Sequence, residues 1–166
     1  MSDIKEAQEY IAGLVARARE AQKTIEFATQ EEVDSLVLKL GWAAVQPDFA
    51  QELADKLVAE SGMGRADHKY AKIMTKVKGA LRDMKGAKTA GIVERDEAKG
   101  LFKIAKPMGV VGAIMPVTNG EATPIIKAMY AIKTRNAIIT APHPRGVETN
   151  LMACERLRAV LKKAGY

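Results

Sequence analysis

Two short loops carry the residue types best suited to chemistry. Pro116-Val117-Thr118-Asn119-Gly120 and Ala141-Pro142-His143-Pro144-Arg145-Gly146 are polar or proline-rich, and each follows directly on an apolar run. With those runs read as parallel strands, both loops lie beyond the carboxyl ends of a sheet, where open α/β folds bind ligands. Each also leads into a helical pattern whose amide end favours an anion. Neither matches G-x-G-x-x-G or a P-loop, so the general phosphate-cradling signatures are missing. The sole thiol, Cys154, sits within Leu151-Met152-Ala153-Cys154-Glu155-Arg156-Leu157, mid-helix and beside a carboxylate. An activated thiolate needs a cationic neighbour or an accessible helix N-terminus. The apolar register instead reads Cys154 as a small buried hydrophobe. One cysteine excludes an internal disulfide, and with only two histidines there is no Cys/His set for a structural zinc ion.

The elements that must position these loops follow from periodicity. Ile4, Ala7, Ile11, Leu14, Val15 and Ala18 recur at helical spacing. Thr29-Gln30-Glu31-Glu32 has the capping-box pattern ahead of Val33, Leu36, Val37 and Leu40, with Gly41 expected to end that helix. Asp48 is expected to cap a third helix with Phe49, Leu53 and Leu57 on its apolar face, and Ser61-Gly62-Met63-Gly64 to break it. A fourth helix is expected from an Asp67 N-cap to Met84. Lys69, Lys72 and Lys76 lie along one of its flanks, and Lys78, Arg82 and Lys85 along another. Such flanks are ordinarily solvated, the alternative being an anion-docking surface. His68 reads as a structural or surface residue.

After Gly86 the pattern changes to strands. Gly91–Arg95 and Leu101–Ala105 read as a hairpin joined through Asp96-Glu97-Ala98-Lys99-Gly100. Val110–Met115 is a continuous apolar run, expected to be a strand buried on both faces. A helix from about Glu121 to Thr134, a strand at Ala137–Thr140 and a last helix from about Thr149 to Lys163 complete a parallel βαβ unit and its following helix. The fold class is therefore α/β. The expected division is a helical lead-in over 1–85, a β-hairpin over 86–106 and a partial nucleotide-type unit over 107–166.

Composition narrows the function classes. Of the 166 residues, 48% are apolar and 28% charged, which excludes global disorder. No run is long and apolar enough to span a membrane, and the N-terminus does not resemble a signal peptide, so a cytoplasmic location is expected. The net charge of +6 is unevenly spread: residues 1–64 carry 6 basic against 12 acidic residues, and residues 65–106 carry 12 against 5. Charge segregation of this kind serves self-neutralisation on folding, a partner, or an anionic ligand. Aromatics make up only 5%, and the basic stretch lacks interleaved stacking residues, which argues against a nucleic-acid binder.

A more specific pointer is resemblance. Lys106-Pro107-Met108-Gly109-Val110-Val111-Gly112-Ala113-Ile114-Met115-Pro116-Val117-Thr118-Asn119, then Lys127-Ala128, Ala131-Ile132-Lys133-Thr134-Arg135-Asn136-Ala137-Ile138-Ile139 and Ala141-Pro142-His143-Pro144-Arg145 resemble the CoA-acylating aldehyde dehydrogenases. The wording of Ala122-Thr123-Pro124 and Ala141-Pro142-His143-Pro144 is nearest to the sulfoacetaldehyde type, with the aldehyde half of bifunctional aldehyde-alcohol dehydrogenases also similar. The strong match covers about residues 105–150. The resemblance implies the first βαβ units of a Rossmann-like cofactor domain. It also implies oxidation of a small aldehyde to an acyl-CoA, with NAD or NADP as cofactor and coenzyme A as co-substrate.

By the same resemblance, Asn119 stabilises the oxyanion of the cysteine-bound aldehyde. Pro116, Val117, Thr118, Lys127, Pro142, His143, Pro144 and Arg145 belong to the cofactor side, with Arg145 suited to a phosphate. Two departures stand out. Gly120-Glu121 replaces the family's usual proline after the asparagine, a glycine expected to loosen the turn beside an anion-repelling carboxylate. The family's nucleophilic cysteine is expected in a second domain beyond residue 166, so this chain alone is expected to be inactive. The resemblance further implies a homo-oligomer, with the hairpin as its oligomerisation strands. The alternative reading is a non-catalytic binding or assembly protein derived from part of a cofactor fold.

Overall fold

The computed structural model describes residues 2–166. Four helices come first: α1 (Ser2–Ile25), α2 (Gln30–Ala44), α3 (Pro47–Ser61) and α4 (Ala66–Met84). The hairpin β1 (Gly91–Asp96) and β2 (Leu101–Ala105) follows, then β3 (Val110–Ile114), α5 (Thr123–Lys133), β4 (Ala137–Ala141) and α6 (Val147–Lys163). The strands form two separate pairs, β1 antiparallel to β2 and β3 parallel to β4. One buried cluster runs from Ile25 through Leu40, Leu53 and Val77 to Ile125 and Leu157, so the first four helices share a core with α5 and α6.

Helix ends bear out part of the expected punctuation. The capping box is complete: Glu32 N–H donates to Thr29 Oγ1 at 3.2 Å, and Thr29 N–H to Glu32 Oε2 at 2.7 Å. Gly62 takes the left-handed conformation that closes α3. Three expectations are corrected. Gly41 does not end α2 but lies inside it, because a Cβ there would fall 2.7 Å from Leu81 Cδ1; the glycine lets α2 and α4 approach. Asp48 does not cap α3, which opens on Pro47, a residue with no N–H to satisfy. Asp67 does not cap α4; it lies in the first turn and pairs with Arg65 at 2.8 Å.

The strand expected to be buried on both faces is also corrected. Val111, Gly112 and Ile114 of β3 are exposed, Ile114 by 88%. Apolar runs of this kind are buried only where layers cover both faces of a sheet with neighbours on either side. Here β4 is the one strand paired to β3 among the described residues, and α1 lies against the pair. The hairpin is similarly open, with Leu101, Phe102 and Ile104 exposed and a register shift between Ile92 and Glu94.

Arg135 ties these parts together. Its backbone is left-handed (φ 60°), and its buried guanidinium donates to Glu26 O at 2.9 Å and Ala105 O at 2.6 Å. Gln22 of α1 donates back to Arg135 O at 3.2 Å.

Candidate functional site

The parallel register sets Ile114 beside Ala141, and Met115 N–H donates to Ala141 O at 2.9 Å. The loops after β3 and β4 therefore leave the sheet at one end, side by side. Both pass over Leu57 of α3: a Cβ on Gly120 would lie 3.1 Å from Leu57 Cδ1, and one on Gly146 3.7 Å from the same atom. Gly120 is thus a buried point of close approach, contrary to the loosened turn expected of it.

The first loop is held from below by α4. Lys69 and Lys72 are three residues apart, hence on one face of the helix, and both reach the loop. Lys69 Nζ donates to Thr118 O at 2.6 Å and Lys72 Nζ to Asn119 Oδ1 at 2.7 Å. Between them stands Glu121, fully buried, with Oε2 3.6 Å from Lys69 Nζ and Oε1 3.5 Å from Lys72 Nζ. The carboxylate next to the loop therefore turns inward onto two cations and leaves the loop mouth. Asn119 and Val117 are half-buried, while Pro116 and Thr118 are exposed. The basic flank read as ordinarily solvated is here an anchor, with Lys69 only 5% exposed. The sequence carried no signal for this, because neither the burial of Glu121 nor its lysine partners about 50 residues away is local.

The second loop forms a single 3-10 turn, Pro144–Gly146, running into α6. Arg145 N–H donates to His143 Nδ1 at 3.1 Å. With Nδ1 accepting, the neutral ring carries its proton on Nε2. Pro142 and His143 are half-buried, and Pro144 and Arg145 exposed. The Arg145 guanidinium has no carboxylate partner among the described residues, and its NH2 lies 3.1 Å from Met63 Sδ.

The sequence suggested an amide end of α6 open to an anionic ligand, but Glu60 occupies it. Glu60 Oε1 accepts from Glu148 N–H at 2.8 Å, and Oε2 from Thr149 N–H at 3.0 Å and Thr149 Oγ1 at 2.7 Å. Burial pushes the Glu60 carboxyl upward, but the bonds from Thr149, Glu148 and Val147 outweigh it and hold it below its ordinary value. Because the folded value is the lower one, this stabilisation is complete above the unfolded value and lost as pH falls through the folded one. Glu60→Gln is therefore expected to flatten the acid limb of the stability–pH curve below about 4.5, measured by urea melts at stepped pH.

Lys127 is exposed on α5. Cys154 is half-buried in α6, with Sγ 3.6 Å from Thr140 Oγ1, and so is not the fully buried hydrophobe expected. Among the described residues no three metal-ligating side chains cluster, and no helix is long and apolar enough to cross a membrane.

The model of the Aldehyde dehydrogenase family matches residues 3–165. The chain belongs to the aldehyde dehydrogenase family. It is 41% identical over 159 residues to the acylating sulfoacetaldehyde dehydrogenase of Cupriavidus necator, covering 96% of this chain and 32% of that one. To the acetylating succinate-semialdehyde dehydrogenase of Clostridium kluyveri it is 41% identical over 155 residues, covering 93% and 34%. The fold matches the crystal structure of an acetylating aldehyde dehydrogenase from Geobacillus thermoglucosidasius with a TM-score of 0.90 at 34% identity, over 99% of this chain and 36% of that one. The chain thus spans about a third of the length of the curated relatives it matches. The resemblance to acylating aldehyde dehydrogenases and the α/β class are both borne out.

Proposed function

We propose that residues 1–166 form the oxyanion-side and cofactor-side portion of a CoA-acylating aldehyde dehydrogenase using NAD or NADP, acting on a small aldehyde. The observation that carries this reading is Asn119. Its Oδ1 is engaged by Lys72, so its Nδ2 hydrogens are left to face a ligand beyond β3. Acylating and acetylating relatives at 41% identity supply the reaction class.

By the family resemblance the thiolate nucleophile comes from outside these residues. As the thiolate adds to the aldehyde carbon, negative charge collects on the carbonyl oxygen, and the Asn119 carboxamide donates to it. A donor fixed before the reaction needs no reorganisation as the charge develops. His143 and Arg145 fit a nucleotide: an Nε2–H for a ribose hydroxyl, and a guanidinium without a carboxylate partner for a phosphate. The amides of α6 hold Glu60, so phosphate recognition here falls to side chains. When bound, the nicotinamide ring supplies the hydride acceptor and coenzyme A the thiol that takes the acyl group. The exposed apolar strands of the hairpin suit pairing with another subunit.

Two preparations test the reading. The purified 166-residue protein, given an aldehyde, coenzyme A and NAD or NADP, is expected to form no reduced cofactor. A chimera in which residues 1–166 replace the matched third of the Cupriavidus necator enzyme is expected to form acyl-CoA. Turnover by the isolated chain overturns its inactivity, and a folded but inactive chimera favours the non-catalytic assembly reading.

A further inference from the structure

We infer that Lys72 is a positioning residue that orients and polarises the Asn119 carboxamide, with Glu121 and Lys69 fixing the frame in which it does so. The inference rests on the reading of Asn119 as an oxyanion donor.

A lysine ammonium can only donate, so at 2.7 Å it must face the amide oxygen and not the amide nitrogen. That settles which end of the carboxamide meets α4: Oδ1 takes the ammonium, and Nδ2 is left clear of it. Donation to Oδ1 also draws electron density off the amide nitrogen and makes its hydrogens stronger donors.

The distances separate this role from a plain ion-pair anchor. If Lys72 served Glu121, its short contact would be the carboxylate. Instead Glu121 Oε1 lies 3.5 Å away, and among the described residues neither Glu121 oxygen accepts a hydrogen bond, although the side chain is wholly buried. Lys69 follows the same order, with Thr118 O at 2.6 Å and Glu121 at 3.6 Å. Both ammoniums thus bond loop oxygens, while the carboxylate holds them by charge alone. Two cations against one anion leave a surplus positive charge beneath the loop, with the sign that favours charge developing on a bound carbonyl oxygen. Lys72 stands at the mouth of this cluster, with 34% of its side chain exposed, and Lys69 closes the floor.

The test reads the carboxamide itself by NMR of the labelled 166-residue protein, with Asn119→Ala assigning its side-chain amide pair. In the wild type, that pair is expected downfield of free carboxamides, with a through-hydrogen-bond coupling between Lys72 Nζ and the Asn119 carboxamide carbon. Lys72→Met is expected to move the pair to the free position, and Lys72→Arg to restore it. Lys72→Gln keeps a neutral donor and is expected to give an intermediate shift. Lys69→Met is expected to disturb the Thr118–Asn119 peptide while leaving the side-chain pair in place. An unshifted pair in Lys72→Met overturns the inference, as does an equal shift in Lys69→Met. Absence of the coupling in the wild type overturns it without any variant. Turnover plays no part in this readout. A chimera that keeps its rate after Asn119→Ala would remove the oxyanion role and leave the Lys72 bond standing.

Discussion

Asn119→Ala in the chimera is expected to lower kcat by roughly 100- to 1,000-fold, the usual loss of one oxyanion donor. The KM for the aldehyde is expected to change little, because the bond strengthens only as negative charge gathers on the carbonyl oxygen, so kcat and kcat/KM fall together. The carboxamide is well prepared for this, half-buried and bound through Oδ1 to Lys72 at 2.7 Å. Steady-state rates at saturating coenzyme A check it. A fall confined to KM would mean that Asn119 binds substrate and transition state equally, and the oxyanion assignment would be wrong.

Glu121→Ala is expected to destabilise the 166-residue protein by about 3–5 kcal/mol, since it leaves a buried ammonium without its counter-charge. Lys69 is the group most affected, with a side chain only 6% exposed beside a Glu121 side chain at 0%. For a chain of this size the melting temperature is expected to drop by roughly 10 °C. Removing the charge on both sides, as Lys69→Met with Glu121→Leu, is expected to recover most of the loss, because a buried pair is costly to break and far less costly to replace. Calorimetry of Glu121→Ala and of the Lys69→Met/Glu121→Leu double variant decides it. A Glu121→Ala protein that melts like the wild type would show that the carboxylate does not hold the lysines.

Much of the fold was legible because it is locally encoded. The capping box at Thr29 and Glu32, the αL closure at Gly62 and the hairpin around Asp96–Gly100 each depend on residues a few positions apart. The parallel pairing of β3 and β4 could be anticipated from two apolar runs separated by a helical period. The supports of the site were not legible, because they join distant stretches. Lys72 and Asn119 are 47 residues apart, and Glu60 reaches Thr149 across 89. Periodicity says which helix flank is polar, but not which polar flank meets a loop. Gly41 failed for the same reason: a breaker by local rule, it is a contact point for Leu81 in three dimensions. The apolar run of β3 showed what the strand requires of its surroundings, and these residues alone do not meet that requirement.

Arg135 has a consequence for how the molecule opens. Its guanidinium closes the end of α1 through Glu26 O and the end of β2 through Ala105 O, from the short connection between α5 and β4. Segments joined at one buried residue cannot loosen one at a time, since the first to leave strands a cation that the others still enclose. The end of α1, the hairpin and the α5–β4 connection are accordingly expected to open together around that junction. That junction lies at the end of β4 opposite the two loops above Leu57.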